Sequence, residues 1–188
     1  MSNTAQTDEA MMETEESVQY LTFTLDGENF ATQISLVREV LEYDQITSVP
    51  RTPDYMLGVI NLRGSVVPVV DMRLQFGVAA QEPTVDTCII IVEVQIDGEP
   101  LVLGALVDMV QEVIDLRADQ IEPAPTLGTR VNTQFIQGMG KVDEHFVIVL
   151  DMEQVFSFNQ LLDLTQTSNS ALVDDDQQDN QKVEQAVA

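Results

Sequence analysis

The stretch GVINLRGSVVPVVD, Gly58 to Asp71, decides how the rest of the chain is read. Val59, Ile60 and Leu62 lead into Arg63-Gly64-Ser65, and Val66, Val67, Val69 and Val70 follow. Two β-rich apolar runs around a short turn predict a hairpin with one cation, Arg63, near its tip. Pro68 has no N–H to give a sheet ladder, so the second run lies at an edge, at a bulge, or with that position turned away from its neighbour.

Working outward, VQYLTFTL alternates Leu21, Phe23 and Leu25 with Tyr20, Thr22 and Thr24, the period of a half-buried strand, and Asp26-Gly27 turns it into ENFATQ. A helical turn in ISLV then leads to a strand in REVLEYDQITSV with Val40, Ile46 and Val49 inward. PDYML predicts one helical turn begun by Pro53. Beyond the hairpin, MRLQF is a short helix and GVAAQEPTVD a connection. TCIIIVEVQI and EPLVLGALVDMVQEVI are strands about the Asp97-Gly98 turn. LRADQIEPAPTLGTRVNTQ reads as a long irregular crossing, FIQGMGKV and FVIVLD as a last hairpin, and DMEQVFSFNQLLDL as a C-terminal helix capped by Asp151.

The chain repeats itself. LDGE at 25 answers to IDGE at 96, REVLEYDQITSVP at 38 to QEVIDLRADQIEPAP at 111, and GVINLRGSVVPVVDM at 58 to GMGKVDEHFVIVLDM at 138, with offsets of 71, 73 and 80 residues. Each half is two strands about a DG turn, a third strand, a Pro-rich crossing and a hairpin. Five short strands of this kind curl into a small barrel, so the expectation is a mainly β chain of two packed five-stranded barrels with few helices. The domain occupies 18–158, between an acidic disordered lead over 1–17 and a segment over 159–188 holding the end of the C-terminal helix and an acidic disordered tail.

The net charge of −24, from 32 acidic and 8 basic residues, repels phosphate backbones and anionic membranes, which disfavours nucleic-acid binding and membrane attachment. It suits a basic partner, a saline cytoplasm or plain solubility. No run approaches the about 20 apolar residues that span a bilayer, and the acidic N-terminus is unlike a secretory signal. With the lone Cys88 set as a small hydrophobe in TCIIIV, the expected compartment is the cytoplasm.

Chemistry is sparse. His145, the one histidine, sits at a turn, and no His/Cys spacing matches a metal site, so neither a catalytic residue nor a metal or other cofactor is expected. Asp71 and Asp151 hold equivalent places and read as caps after a strand. Arg63, in a region with 21 acids and seven bases, either meets a partner or pairs with a carboxylate such as Glu39.

FTLDGENFA, VREVLEYDQITSVPRTPDYMLGVINLRGSVVPVVDMR, VDMVQEVIDLRADQIEPAP and FIQGMGKVDEHFVIVLDMEQVF together resemble the CheW family of chemotaxis coupling proteins, from Tyr20 to about Phe158. The resemblance implies two SH3-like five-stranded barrels and an adaptor without an active site. Such an adaptor bridges the cytoplasmic tip of methyl-accepting chemoreceptors to the regulatory domain of the histidine kinase CheA, in membrane-associated arrays. By matching position it implies a receptor-binding region of Val37, Glu39 and Arg63, with Gly104 and Val113 near a groove between barrels. It implies kinase contacts at Gly58, Thr87 and Val110. A scaffold of pilus-based motility or developmental signalling is the alternative reading; an enzyme using carboxylates and a metal is a more distant one. The acidic lead and tail and the large negative charge depart from the family pattern.

Overall fold

The computed structural model describes residues 16–125 and 131–157, so most of the acidic lead, the tail and the far end of the C-terminal helix lie outside the described residues. The described residues form eleven strands: β1 (Ser17–Leu25), β2 (Glu28–Gln33), β3 (Val37–Glu42), β4 (Met56–Leu62), β5 (Ser65–Asp71), β6 (Cys88–Ile96), β7 (Glu99–Val107), β8 (Met109–Arg117), β9 (Ile121–Glu122), β10 (Ile136–Val142) and β11 (His145–Leu150). Helix α1 (Met72–Gln75) follows β5, and a helical stretch over 152–157 follows β11.

The strands make two curled sheets, ordered β3-β6-β7-β5-β4 and β8-β1-β2-β11-β10-β9. They form the expected two half-barrels, but neither sheet comes from one half of the chain. The hairpin β1–β2 leaves the first half to pair with β8 and, in parallel, β11; the hairpin β6–β7 pairs with β3 and, in parallel, β5. Both halves carry the same strand pattern, so local sequence satisfies either assignment, and the linkers from β2 to β3 and from β7 to β8 carry the chain across between sheets.

The exchange explains the long apolar runs. In β6, Ile89 and Ile91 fill the small interior of the first sheet with Val67, Val69 and Leu106, while Ile90, Val92 and Val94 face a larger core shared by both sheets. Strands buried on both faces read as continuous Val/Ile runs. The same holds for β1, which is buried on both faces rather than one: Tyr20 joins Ala31, Leu116, Val147 and Val149 inside the second sheet, and Leu21, Phe23 and Leu25 enter the shared core. Phe23, Phe30, Phe76 and Phe135 stack through that core at centroid separations of 5.8–6.1 Å.

Several local expectations change. Val40 is 41% exposed instead of inward, because a bulge between Val37 and Glu39 advances the strand by one residue: Val37, before it, packs against the shared core, while Glu39 and Leu41, after it, turn to the face of the sheet's own small interior. Beyond Glu42 the chain is irregular, touching β4 through one bridge, Thr47 to Val59. PDYML forms a turn closed by the Met56 N–H on the Pro53 carbonyl at 2.9 Å, with no helix. LRADQIEP is more ordered than a bare crossing: it completes β8, makes a 3-10 turn at Ala118–Gln120 and adds β9. The shared register also revises the repeat offset there to 75, since Leu41 and Leu116, and Ile46 and Ile121, hold matching core places.

Pro68 takes the third of its allowed settings. Leu62 and Ser65 close the hairpin, so pairs alternate from there, and Pro68 faces Val59 in a pair that exchanges no hydrogen bonds. The amide and carbonyl of Val59 turn instead to Thr47, each at 2.9 Å. Parallel pairing of β5 with β7 begins only at Val69.

Candidate functional site

The tip of the β4–β5 hairpin is a two-residue turn with Arg63 at φ 51° and Gly64 at φ 89°. Positive φ at both central residues is the type I′ pattern, whose twist matches that of the strands. Asn61 supports it by accepting the Gly64 N–H on Oδ1 at 2.9 Å. The corresponding first positions elsewhere are Asp26, Asp97 and Asp143, all near φ 52°. Asp tolerates this conformation better than Arg, whose long side chain has no local hydrogen bond to offset the about 1–2 kcal/mol of crowding.

The strain places a cation outside the sheet. Arg63 is 79% exposed, and its Nη2 donates to Glu39 Oε2 at 3.0 Å. Glu39 lies half-buried on β3, brought there by the bulge, while Val37, before the bulge, packs against the shared core. β3 and β4 are opposite edges of the five-stranded sheet, so the ion pair joins the two edges of the curl. With Arg63 so open to water, the pair adds only about 0–1 kcal/mol. Arg38, the bulged residue, is ion-paired with Glu93 of β6.

The remaining candidates divide. Val113 stands 45% exposed on β8, an edge of the other sheet. Gly104 is enclosed in β7, where a Cβ would lie 2.8 Å from Ile89 Cγ2 and 3.2 Å from Val69 Cγ2. Gly58 is buried at φ 145°, and a Cβ there would be 2.1 Å from the Thr47 carbonyl oxygen; glycine is what lets the 47 segment cross β4. Thr87 is buried: its hydroxyl accepts the Thr84 N–H at 2.8 Å and its carbonyl the Tyr43 N–H at 3.1 Å. Val110 is half-buried against the shared core. Thus Glu39 and Arg63 come together, Val37 packs instead against the shared core, Val113 belongs to a separate edge, and Gly58, Gly104 and Thr87 shape the scaffold.

Reading the sequence missed an arginine at the junction of the sheets. Arg73, in the first turn of α1, donates from Nε and Nη2 to the two carboxylate oxygens of Asp108 at 2.6 Å each, and from Nη1 to Asp26 at 3.4 Å and the Ala79 carbonyl at 3.3 Å. The Asp26 N–H adds a bond to Asp108 at 2.8 Å. Burial pushes the Asp108 carboxyl up, but the Arg73 hydrogen bonds, the Asp26 N–H and the Arg73 charge outweigh it and hold the carboxyl below its usual range. Arg73 is itself raised, chiefly by its bond to Asp108.

Asp71 and Asp151 act as the expected caps, Asp71 accepting from the Arg73 and Leu74 N–H groups at 2.8 and 3.3 Å and Asp151 from Gln154 at 3.0 Å. Burial raises the Asp71 carboxyl, opposed by those N–H bonds and by Arg73. Also missed were two exposed apolar residues at matching places beside the tips, Val66 at 71% and Phe146 at 52%. Among the described residues no group of three or more His, Cys, Asp or Glu could hold a metal ion, and none of their helices is long and apolar enough to cross a membrane.

Comparison with known proteins matches this geometry. A family model described as the CheW-like domain covers residues 19–160. The chemotaxis protein CheW of Klebsiella aerogenes is 36% identical over 146 residues, 76% of this chain and 84% of that protein. The chemotaxis protein CheW of Helicobacter pylori is 33% identical over 142 residues, 75% of this chain and 82% of that one. The crystal structure of the scaffolding protein TtCheW from Thermoanaerobacter tengcongensis superposes with a TM-score of 0.67 at 35% identity, covering 75% of this chain and 93% of that chain. With its two exchanged half-barrels and this breadth of similarity, the chain belongs to the CheW-like family.

Proposed function

We propose that this protein is a non-enzymatic adaptor of chemotaxis, coupling the cytoplasmic tip of methyl-accepting chemoreceptors to a CheA-type histidine kinase, and that Glu39 and Arg63 with Val37 form its receptor contact. The observation that carries the reading is the Arg63 tip: a strained, exposed arginine in a duplicated turn whose other copy holds Asp143. Strain kept at a surface position marks a place selected for contact rather than stability. The named relatives support the pathway.

The mechanism is recognition. An exposed Arg63 with its half-buried Glu39 presents both charge signs at the edge of β3, which orients a partner through complementary charge. Binding that differs between two kinase states shifts their populations without any bond being made. The adaptor would work in the cytoplasm, recruited to receptor arrays, with the kinase met through another surface; of the kinase candidates, Val110 is less buried than Gly58 or Thr87.

The test is co-sedimentation of the chain with membranes bearing a chemoreceptor of the same source, with and without its kinase. Wild type is expected to pellet and raise kinase loading, and folded Arg63→Glu to do neither. A folded Arg63→Glu that still pellets removes the assigned site. A wild type that binds neither receptor nor kinase removes the chemotaxis reading.

A further inference from the structure

Among the described residues, the non-glycine positions with a left-handed backbone are of two kinds: Asp26, Asp97 and Asp143 at hairpin tips, and two arginines, Arg63 at φ 51° and Arg51 at φ 63°. Aspartate tolerates that conformation, whereas arginine has no local hydrogen bond to offset the crowding. Arg63 reaches Glu39. Arg51 is exposed, and its side chain meets no hydrogen-bond or ion-pair partner among the described residues.

The turn that carries Arg51 is firmly held. Pro50 followed by a positive φ is the pattern of a type II turn, whose second central place ordinarily takes glycine or asparagine. The Thr52 hydroxyl bonds to the Val49 carbonyl at 2.9 Å and reaches the Met56 carbonyl at 3.4 Å. The Met56 N–H closes on the Pro53 carbonyl, and Thr47 exchanges two bonds with Val59 just before the turn. Pro50 and Pro53 fix the backbone on either side. An arginine thus stands, on a rigid support, where a residue suited to the turn would be easier, and strain kept at a surface marks a place of contact.

Charge isolates the same residue. The chain has 32 acids and 8 bases, and each other described arginine is taken by a carboxylate of its own chain: Arg38 by Glu93, Arg63 by Glu39, Arg73 by Asp108 and Arg117 by Asp119. Asp54, exposed three residues on, does not pair with Arg51. The repeat offset of 75 puts Thr126 in the matching place of the second half, so the cation belongs to one half only.

We propose that Arg51 and its turn are a docking point for an acidic segment of a partner protein, on a surface separate from the Arg63 contact. The guanidinium fork takes a carboxylate in bidentate fashion, and the rigid turn holds it ready to do so. A short protein segment suits the site better than a phosphate backbone or anionic membrane, because the field of the whole chain repels extended polyanions. The two contacts are separate because Arg51 precedes Met56 and Arg63 follows Leu62, at opposite ends of β4.

The test is a titration of the isotope-labelled full chain with acetyl-Glu-Asp-Glu-amide, read at the arginine side-chain N–H signals. Saturable shifts are expected at Arg51 and at the Thr52 amide, absent with acetyl-Gln-Asn-Gln-amide. Arg51→Asn should weaken the binding at least about tenfold, the worth of one charge-assisted contact, with the melting temperature held or raised because asparagine suits the turn. No shifts, or equal shifts at Arg51, Arg63 and Lys141, overturn the site. Shifts that appear only after removal of 1–17 or 159–188 make the chain's own acidic ends the occupant and overturn the partner reading. In co-sedimentation with receptor-bearing membranes, Arg51→Glu should pellet as wild type does; a folded Arg51→Glu that fails to pellet merges the two surfaces and overturns their separation. A wild type that does not pellet counts against the function proposed above and leaves the Arg51 titration as the test of this site.

Discussion

The two halves of this chain use one strand plan with opposite surface chemistry. At the first hairpin tip, Arg63-Gly64 projects a cation that reaches Glu39 across the sheet edges; at the second, Asp143-Glu144 projects acids, and the register places Ile114 where the first half has Glu39. At the junction the contrast reverses: Arg73 is bound to Asp108, while Glu153, 80 residues on, has no ion pair among the described residues. Core positions repeat because a curled sheet admits few ways to fill its interior. Surface positions do not, so the places where the halves differ in charge are the places to look for partners.

The comparison is broken hardest at the glycines where strand four of each half is crossed. Gly58→Ala meets both a left-handed φ and a backbone oxygen at 2.1 Å, whereas a Cβ at the equivalent Gly138 meets the Ile121 side chain at 2.5 Å and the Glu122 carbonyl oxygen at 2.8 Å. Urea denaturation should show a loss of about 3 kcal/mol or more for Gly58→Ala and a smaller one for Gly138→Ala, since side-chain movement relieves part of the second clash.

The Arg73 clamp comes next. Arg73→Met strands the partly buried Asp108 and should cost about 2 kcal/mol, less than a fully buried pair because Asp108 keeps some solvent contact. Its pH dependence has a definite sign. Asp108 is held below its unfolded value, so its contribution is complete above the ordinary aspartate range of about 3.9 and is lost as pH falls through the lower folded value. Asp71, raised by burial, works the other way: its contribution is complete below its unfolded value and is lost as pH rises through its folded one. Denaturation between pH 2 and pH 7 should therefore show a shallower acid loss in Asp108→Asn than in wild type.

A smaller effect sharpens the symmetry. Thr32 is fully buried with an unsatisfied hydroxyl, while the equivalent residue in the first sheet is Leu103, inside the core. Thr32→Val keeps the shape and removes the orphan, and should raise the unfolding free energy by about 1 kcal/mol, read as a higher denaturation midpoint. Smallest of all, Arg63→Asn should gain about 0.5–1 kcal/mol from an easier left-handed turn, less the exposed ion pair, while receptor binding falls. Stability and binding moving in opposite directions would separate strain kept for contact from simple tolerance.

Much of this was legible because the signals were local. NLRGSVVPVVD announces its hairpin through a glycine turn between apolar runs, the DG turns do the same, and Asp71 and Asp151 are caps by position. The pairing of Arg63 with Glu39 was legible as one of two alternatives. Val40 was misread because a bulge, one extra residue at Arg38, reverses every later side chain and leaves no mark in a Val/Glu alternation. Gly58 and Thr87, named as kinase contacts by resemblance, are buried, Gly58 under a backbone crossing at Thr47 that is not written at the glycine itself.

The sequence by itself determined the strand inventory, the turns, the duplication and the place of the exposed arginine, because each depends on propensity and spacing within about a dozen residues. Only the tertiary structure decided which hairpin joins which sheet and that Arg73 and Asp108 meet across 35 residues. Two halves with the same local pattern satisfy the same local rules in either pairing. What separates the pairings is the shared core, with its stack of four phenylalanines and its strands buried on both faces, and that core exists only when both halves are folded together.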